Sequence, residues 1–289
     1  MSRLFLAAAA AFALAASAAV AAPLPPAAVF TDPPADAAHP AHMEVLHIPS
    51  GGVKINGVAY MPPGAGPHPT VVLLHGLPGN EKNLDLAQAM RRGGWTVVTF
   101  NYRGSWGSPG TFSFNGNLAD AKAVLAYVRD PANAARLGAD PRRLVIMGHS
   151  MGGWVTSQVA GSDPDLLGAA LISAADMGRL AAAPADNRLE TARDNMESLA
   201  GVTADSMAQE MATLGGYSFA AAAPGLSKKP LLVLTSDDGL APMAEALVMD
   251  VKQRGGRVRV VHVATDHAWS TARVRLESEV LTWLDSLPK

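Results

Sequence analysis

The 289-residue chain contains no cysteine. Disulfides, thiolate nucleophiles and cysteine-held metals are therefore excluded. Charge is also sparse: charged residues make up 17% of the chain and the formal net charge is −2. No basic stripe is present to attract nucleic acid, so electrostatics point to no partner of that kind. There is no H-E-x-x-H zinc motif, no phosphate-cradling glycine loop and no internal repeat. Nothing in the sequence calls for a metal or an organic cofactor. Apolar residues, by contrast, make up 49% of the chain. That is enough for a sizeable core in one α/β domain.

The first stretch differs from the rest. Arg3 precedes an uncharged, alanine-dominated run over residues 4–20, and Ala19-Val20-Ala21 has the small-x-small form of a cleavage site. The pattern predicts a secretory signal peptide over residues 1–21, cut after Ala21 or Ala22. The run is short for a membrane span, which needs about 20 apolar residues. No cysteine stands near the cut to carry a lipid. The expectation is an exported protein, periplasmic or secreted, with no stable membrane insertion. Residues 22–42 are rich in proline and alanine and read as a disordered leader. His39 and His42 fall within it without a third metal ligand.

From residue 43 the pattern alternates between strands and helices. Residues 43–48 and 53–61 read as an opening antiparallel pair split by Ser50-Gly51-Gly52. Residues 70–74, 95–100, 144–147, 168–174, 230–234 and 258–263 read as further strands, most of them continuous apolar runs of the kind buried on both faces. Helices are expected over residues 84–92, around Leu118, Ala121, Leu125 and Val128, over 242–254, and at the C-terminus through Leu276, Val280, Trp283, Leu284 and Leu287. This alternation predicts an α/β fold with a mostly parallel central sheet flanked by helices. Residues 176–227 break the rhythm with helical stretches near 187–200 and 204–214, and read as a helical cap. Its methionines, Met177, Met196, Met207 and Met211, either pack the cap onto the sheet or line a pocket.

Gly148-His149-Ser150-Met151-Gly152 follows a strand and precedes a helix. A lone G-x-S-x-G is a weak pattern, but at a strand-to-helix turn it specifies a nucleophile elbow. The glycines leave room for a sharp turn, and the helix N-terminus aims free N–H groups at developing negative charge. Serine needs a base, and the base needs an orienting acid. His267 follows the last strand and Asp238 the strand before it. Both stand at strand C-terminal ends, where parallel sheets place their sites. Asp238 is preferred over Asp237 and Asp176 because it stands four residues before Pro242. His262 lies within a strand and is expected to be packed there. His149 occupies the variable position of the elbow, and Asp266 reads as a loop-turn residue. His75-Gly76-Leu77 follows the strand over 70–74. The N–H groups of Leu77 and Met151 are the expected oxyanion donors, with His75 structural.

From about residue 43 onwards the chain resembles the α/β-hydrolase superfamily. The likeness rests on His75-Gly76, the elbow, Asp238 with Pro242, and Asp266-His267. The opening strands and the Pro/Gly loop before His75-Gly76 are similar to the dienelactone-hydrolase and acylaminoacyl-peptidase branches, although bacterial members of the former use a cysteine that this chain lacks. Asn101-Tyr102-Arg103-Gly104 resembles the loop after the family's fourth strand, which implies a structural role for Arg103. The expectation is a domain over residues 43–289 that cleaves carboxylic esters of small or medium acyl groups through an acyl-enzyme. A serine exopeptidase or acyl-peptide hydrolase is the alternative, and a non-catalytic binding protein on the same scaffold is a third reading.

Overall fold

A computed structural model of the chain describes residues 24–289. The expected signal peptide lies outside the described residues. The elements follow in chain order: β1 (His42–Ser50), β2 (Val53–Met61), β3 (His68–Leu74), α1 (Leu84–Arg92), β4 (Thr96–Phe100), α2 (Phe114–Arg129), α3 (Pro131–Arg136), β5 (Ala139–His149), α4 (Met151–Ser162), β6 (Gly168–Ile172), α5 (Ala185–Arg193), α6 (Ala204–Met211), α7 (Phe219–Leu226), β7 (Leu231–Thr235), α8 (Ala241–Gln253), β8 (Val258–His262) and α9 (Arg273–Asp285).

The strands form one eight-stranded sheet in the order β1-β2-β4-β3-β5-β6-β7-β8. The β1–β2 and β2–β4 pairs are antiparallel, and every later pair is parallel. Alternate side chains of the central strands enter two separate cores. Val72, Leu74, Ile146 and Leu171 face α2, α4, α7 and α8. Val71, Leu73, Val145 and Ile172 face α1 and α9. Covering both faces is why these strands read as unbroken apolar runs.

Three expectations change. β8 is not buried on both faces. Among the described residues it is the last strand of the sheet, paired only with β7, and Val260 is exposed. The segment over 176–227 divides. Its last part, α7, packs on α4 as the helix between β6 and β7, and Gly225 and Gly161 are so close that a side chain on Gly225 would strike the Gly161 carbonyl. The part laid over the sheet's end is therefore shorter. Within it, α5 stops at Arg193, and the following residues run irregularly beside the loop after β4, where Ser105 and Leu199 form a bridge. The leader is also not free from residue 24 on. Ala27–Val29 make a 3-10 turn, Val29 enters the second core, and Arg92 donates to the carbonyls of Ala28 (2.6 Å) and Val29 (2.8 Å). One buried valine and two charge-assisted bonds hold this turn against α1.

Candidate active site

A single residue, Ser150, joins β5 to α4. Its backbone has φ 57° and ψ −123°, a conformation that residues with a β-carbon avoid. The surroundings enforce it. The Ser150 N–H donates to the Ile172 carbonyl at 2.9 Å, and its own carbonyl accepts from Gly153 (3.0 Å) and Ala175 (3.1 Å). The flanking glycines are sterically required. A β-carbon on Gly148 would strike the Gly152 carbonyl, and one on Gly152 would lie 2.6 Å from the Leu74 carbonyl oxygen. Ser150 faces a cavity of about 350 Å³ shared with Gly76, Leu77, His149 and His267.

The structure brings His267 and Asp238 together. His267 Nδ1 lies 2.7 Å from Asp238 Oδ2, and the other carboxylate oxygen accepts the Leu240 N–H at 2.9 Å. The Asp238 side chain is 4% exposed and that of His267 40%. Burial alone would raise the Asp238 carboxyl, but hydrogen bonds from His267, Leu240 and Ser236 outweigh it and hold the group below the usual carboxylate range. Asp238 thus stays ionised and fixes the proton of His267 on Nδ1. Nε2 is the ring nitrogen left outside this contact. Among the described residues no hydrogen bond joins Ser150 to His267. Such contacts are often long without substrate and tighten in the complex.

The competing residues lie elsewhere. Asp237 binds His262 Nε2 at 3.0 Å, and Thr235 Oγ1 lies 3.0 Å from His262 Nδ1. This corrects the expectation of a packed His262. On an edge strand its side chain stays half exposed. Asp176 accepts the N–H groups of Gly178 (3.1 Å) and Phe219 (3.2 Å), so it caps its own turn and the start of α7, and burial pushes its carboxyl up. Asp266 accepts from Ser270 N–H at 2.7 Å as a loop-turn residue. Of the four cap methionines, Met177, Met207 and Met211 are buried in the core and Met196 packs against it. None lines the cavity at Ser150.

The turn after β3 closes the other side of the cavity. A β-carbon on Gly76 would lie 2.8 Å from that of Ser150, so only glycine permits this approach. Leu77 follows directly. Met151 is the first residue of α4 and its N–H has no intrahelical acceptor. His75 Nδ1 donates to the Gly76 carbonyl at 2.8 Å. Burial lowers the His75 pKa to about 4, so it is a neutral structural group.

The alpha/beta hydrolase family model matches residues 71–277. The chain belongs to that family. Among curated relatives it is 29% identical over 133 residues to an uncharacterized protein of Mycobacterium tuberculosis, covering 46% of each chain. It is 32% identical over 109 residues to a lysophosphatidylserine lipase of Danio rerio, covering 35% of this chain and 27% of the relative. In both cases the match spans less than half of the relative's length. Among solved structures, a thermostable carboxylesterase cloned from a metagenomic library shares 22% identity, with coverage of 91% and 92% and a TM-score of 0.63.

Other residues of this hydrolase-family site carry no signal in the sequence. His149 Nε2 donates to the His267 carbonyl at 2.8 Å, and the two rings lie 4.6 Å apart. Burial lowers the His149 pKa to about 4 and keeps it a neutral donor. Trp269 Nε1 donates to Ser173 Oγ (2.9 Å), which meets Ser236 Oγ (2.7 Å), and Ser236 in turn bonds Asp238. A buried chain thus ties the His267 loop to the ends of β6 and β7. Arg103 pairs with the buried Asp120 at 2.7 Å, the structural role its motif implied.

Proposed function

We propose that the protein is a serine hydrolase of small carboxylic esters. One observation carries this reading: the 2.7 Å His267–Asp238 contact stands beside a cavity into which Ser150 is turned by its strained elbow. His267 Nε2 takes the Ser150 proton as Oγ attacks the ester carbonyl. The N–H groups of Leu77 and Met151 meet the oxyanion, and α4 adds the positive end of its dipole. His267 then returns the proton to the departing alcohol. Water, activated by the same imidazole, hydrolyses the acyl-enzyme. Asp238 stabilises the imidazolium through both transfers.

Ser150→Ala should reduce turnover of p-nitrophenyl acetate or butyrate by about 10⁴-fold or more and abolish labelling by a fluorophosphonate probe. Wild-type rates in that variant would sink the assignment. Export belongs to the same reading and is supported by Arg3, the alanine-rich run and Ala19-Val20-Ala21. The mature N-terminus should then be Ala22 or Pro23.

A further inference from the structure

Trp106 has φ 49°, the left-handed region that favours glycine, yet the position holds the bulkiest side chain available, and that side chain is 37% exposed. Neither core burial nor backbone ease accounts for it. Strain retained at such a site points to use of the side chain. The indole Nε1–H donates to the Pro78 carbonyl at 2.6 Å, and Ser198 Oγ donates to the same oxygen at 3.1 Å. Pro78 directly follows Leu77, the expected oxyanion donor. On the other side, the Gly76 carbonyl accepts from His75 Nδ1 at 2.8 Å. The peptide carrying the Leu77 N–H is therefore held from both flanks.

We propose that Trp106 is a positioning residue that aims the Leu77 N–H at the oxyanion by clamping the Pro78 carbonyl. The proposal rests on the serine-hydrolase reading above. The clamp is itself braced. The Trp106 N–H donates to the Ser198 carbonyl at 3.1 Å, Asn101 Nδ2 donates to the Trp106 carbonyl at 3.1 Å, and Lys82 Nζ stands 4.3 Å over the indole ring. Asn80 Nδ2 donates to Glu197 at 2.6 Å. Residues 197–199 of the segment laid over the site are thus joined to the oxyanion turn directly and through Trp106, so a shift of that segment is transmitted to Leu77.

Trp106→Phe keeps an aromatic ring under Lys82 and removes the N–H. The kcat for p-nitrophenyl acetate should fall by about 5- to 50-fold, less than the 10²–10³ lost with a whole oxyanion donor, while KM stays within about twofold. Affinity for a trifluoromethyl ketone should fall in parallel with kcat. Amide hydrogen exchange at Leu77, Gly79 and Asn80 should rise, and the melting temperature should hold. Trp106→Gly relieves the backbone, so it should fold at least as well and show the same loss of kcat. Unchanged kcat and unchanged exchange in both variants would overturn the proposal. So would a loss matched by a general fall in stability, with exchange raised throughout the domain. If the wild type neither turns over esters nor labels at Ser150, the esterase reading fails by itself. The exchange at residues 77–80 then decides the clamp: a local rise supports it and no rise overturns it.

Discussion

Asp237 and Asp238 are adjacent in the chain but meet different surroundings. The Asp237 side chain is 62% exposed and holds His262 at the sheet edge, whereas Asp238 is buried and bonded to His267, Leu240 and Ser236. An exposed carboxylate–histidine pair contributes about 1 kcal/mol or less. In the proposed triad the buried one sets the tautomer of the base, and losing that partner lowers kcat by about 10⁴-fold. Asp238→Asn should therefore lower kcat by about 10³–10⁴-fold near pH 7, while Asp237→Asn should stay within about twofold. Esterase assays on the two variants check this, and a comparable loss in Asp237→Asn would put the acid at the wrong residue. The pairing of Asp238 rather than Asp237 with His267 agrees with its place four residues before Pro242. The role of His149 was not legible in the sequence. Its value lies in a bond to a carbonyl 118 residues away, and local pattern carries no trace of such a pairing.

At the scale of elements, the elbow depends on two close approaches of backbone to backbone. Gly152 sits where a β-carbon would press on the carbonyls of Leu74 and His75, which belong to the end of β3 and the turn that carries Leu77. Backbone in a central strand cannot yield as a flexible side chain can. Gly152→Ala should cost about 3 kcal/mol or more, the upper range for overpacking, and lower the melting temperature by roughly 6–12 °C at about 2–4 °C per kcal/mol. Gly216, which has no atom within 4 Å of an added β-carbon, is the control, and Gly216→Ala should stay within about 0.5 kcal/mol. Thermal melts of the two variants decide it. The strands that pack on both faces, β3 to β7, were legible as apolar runs, and α1 was legible to its ends. The edge strand β8 was misread because Val258-Arg259-Val260-Val261 is apolar enough to pass for a buried run, and only sheet order shows that it ends the sheet among the described residues. The limits of the cap were misjudged for a related reason. α7 follows α5 and α6 with no strand between them, and its close glycine contact with α4 assigns it to the core layer.

Across the whole molecule, two neutral histidines, His75 and His149, are sealed beside the site, and burial lowers both pKa values to about 4. In the unfolded chain each would titrate near 6.5. Between those values the unfolded state binds more protons than the folded state, so stability falls as pH falls from 6.5 towards 4 and is insensitive to these groups above 6.5. Each histidine contributes a slope approaching about 1.4 kcal/mol per pH unit in the middle of that window. Buried carboxyls whose pKa is raised, Asp176 and Glu277, act with the opposite sign but begin from lower ordinary values, so they offset the histidines mainly at the acid end. Urea unfolding at pH 7, 6 and 5 should therefore show a steady loss of stability on acidification. In His149→Phe, which keeps an aromatic ring beside His267 but has nothing to titrate, the slope between pH 6 and 5 should be shallower by up to about 1.4 kcal/mol per unit. An identical slope in the two proteins would mean that His149 already takes up its proton in the folded state. The bond that holds the His267 carbonyl would then survive acidification, because either protonation state of His149 can donate from Nε2, and the acid sensitivity of the fold would have to come from His75.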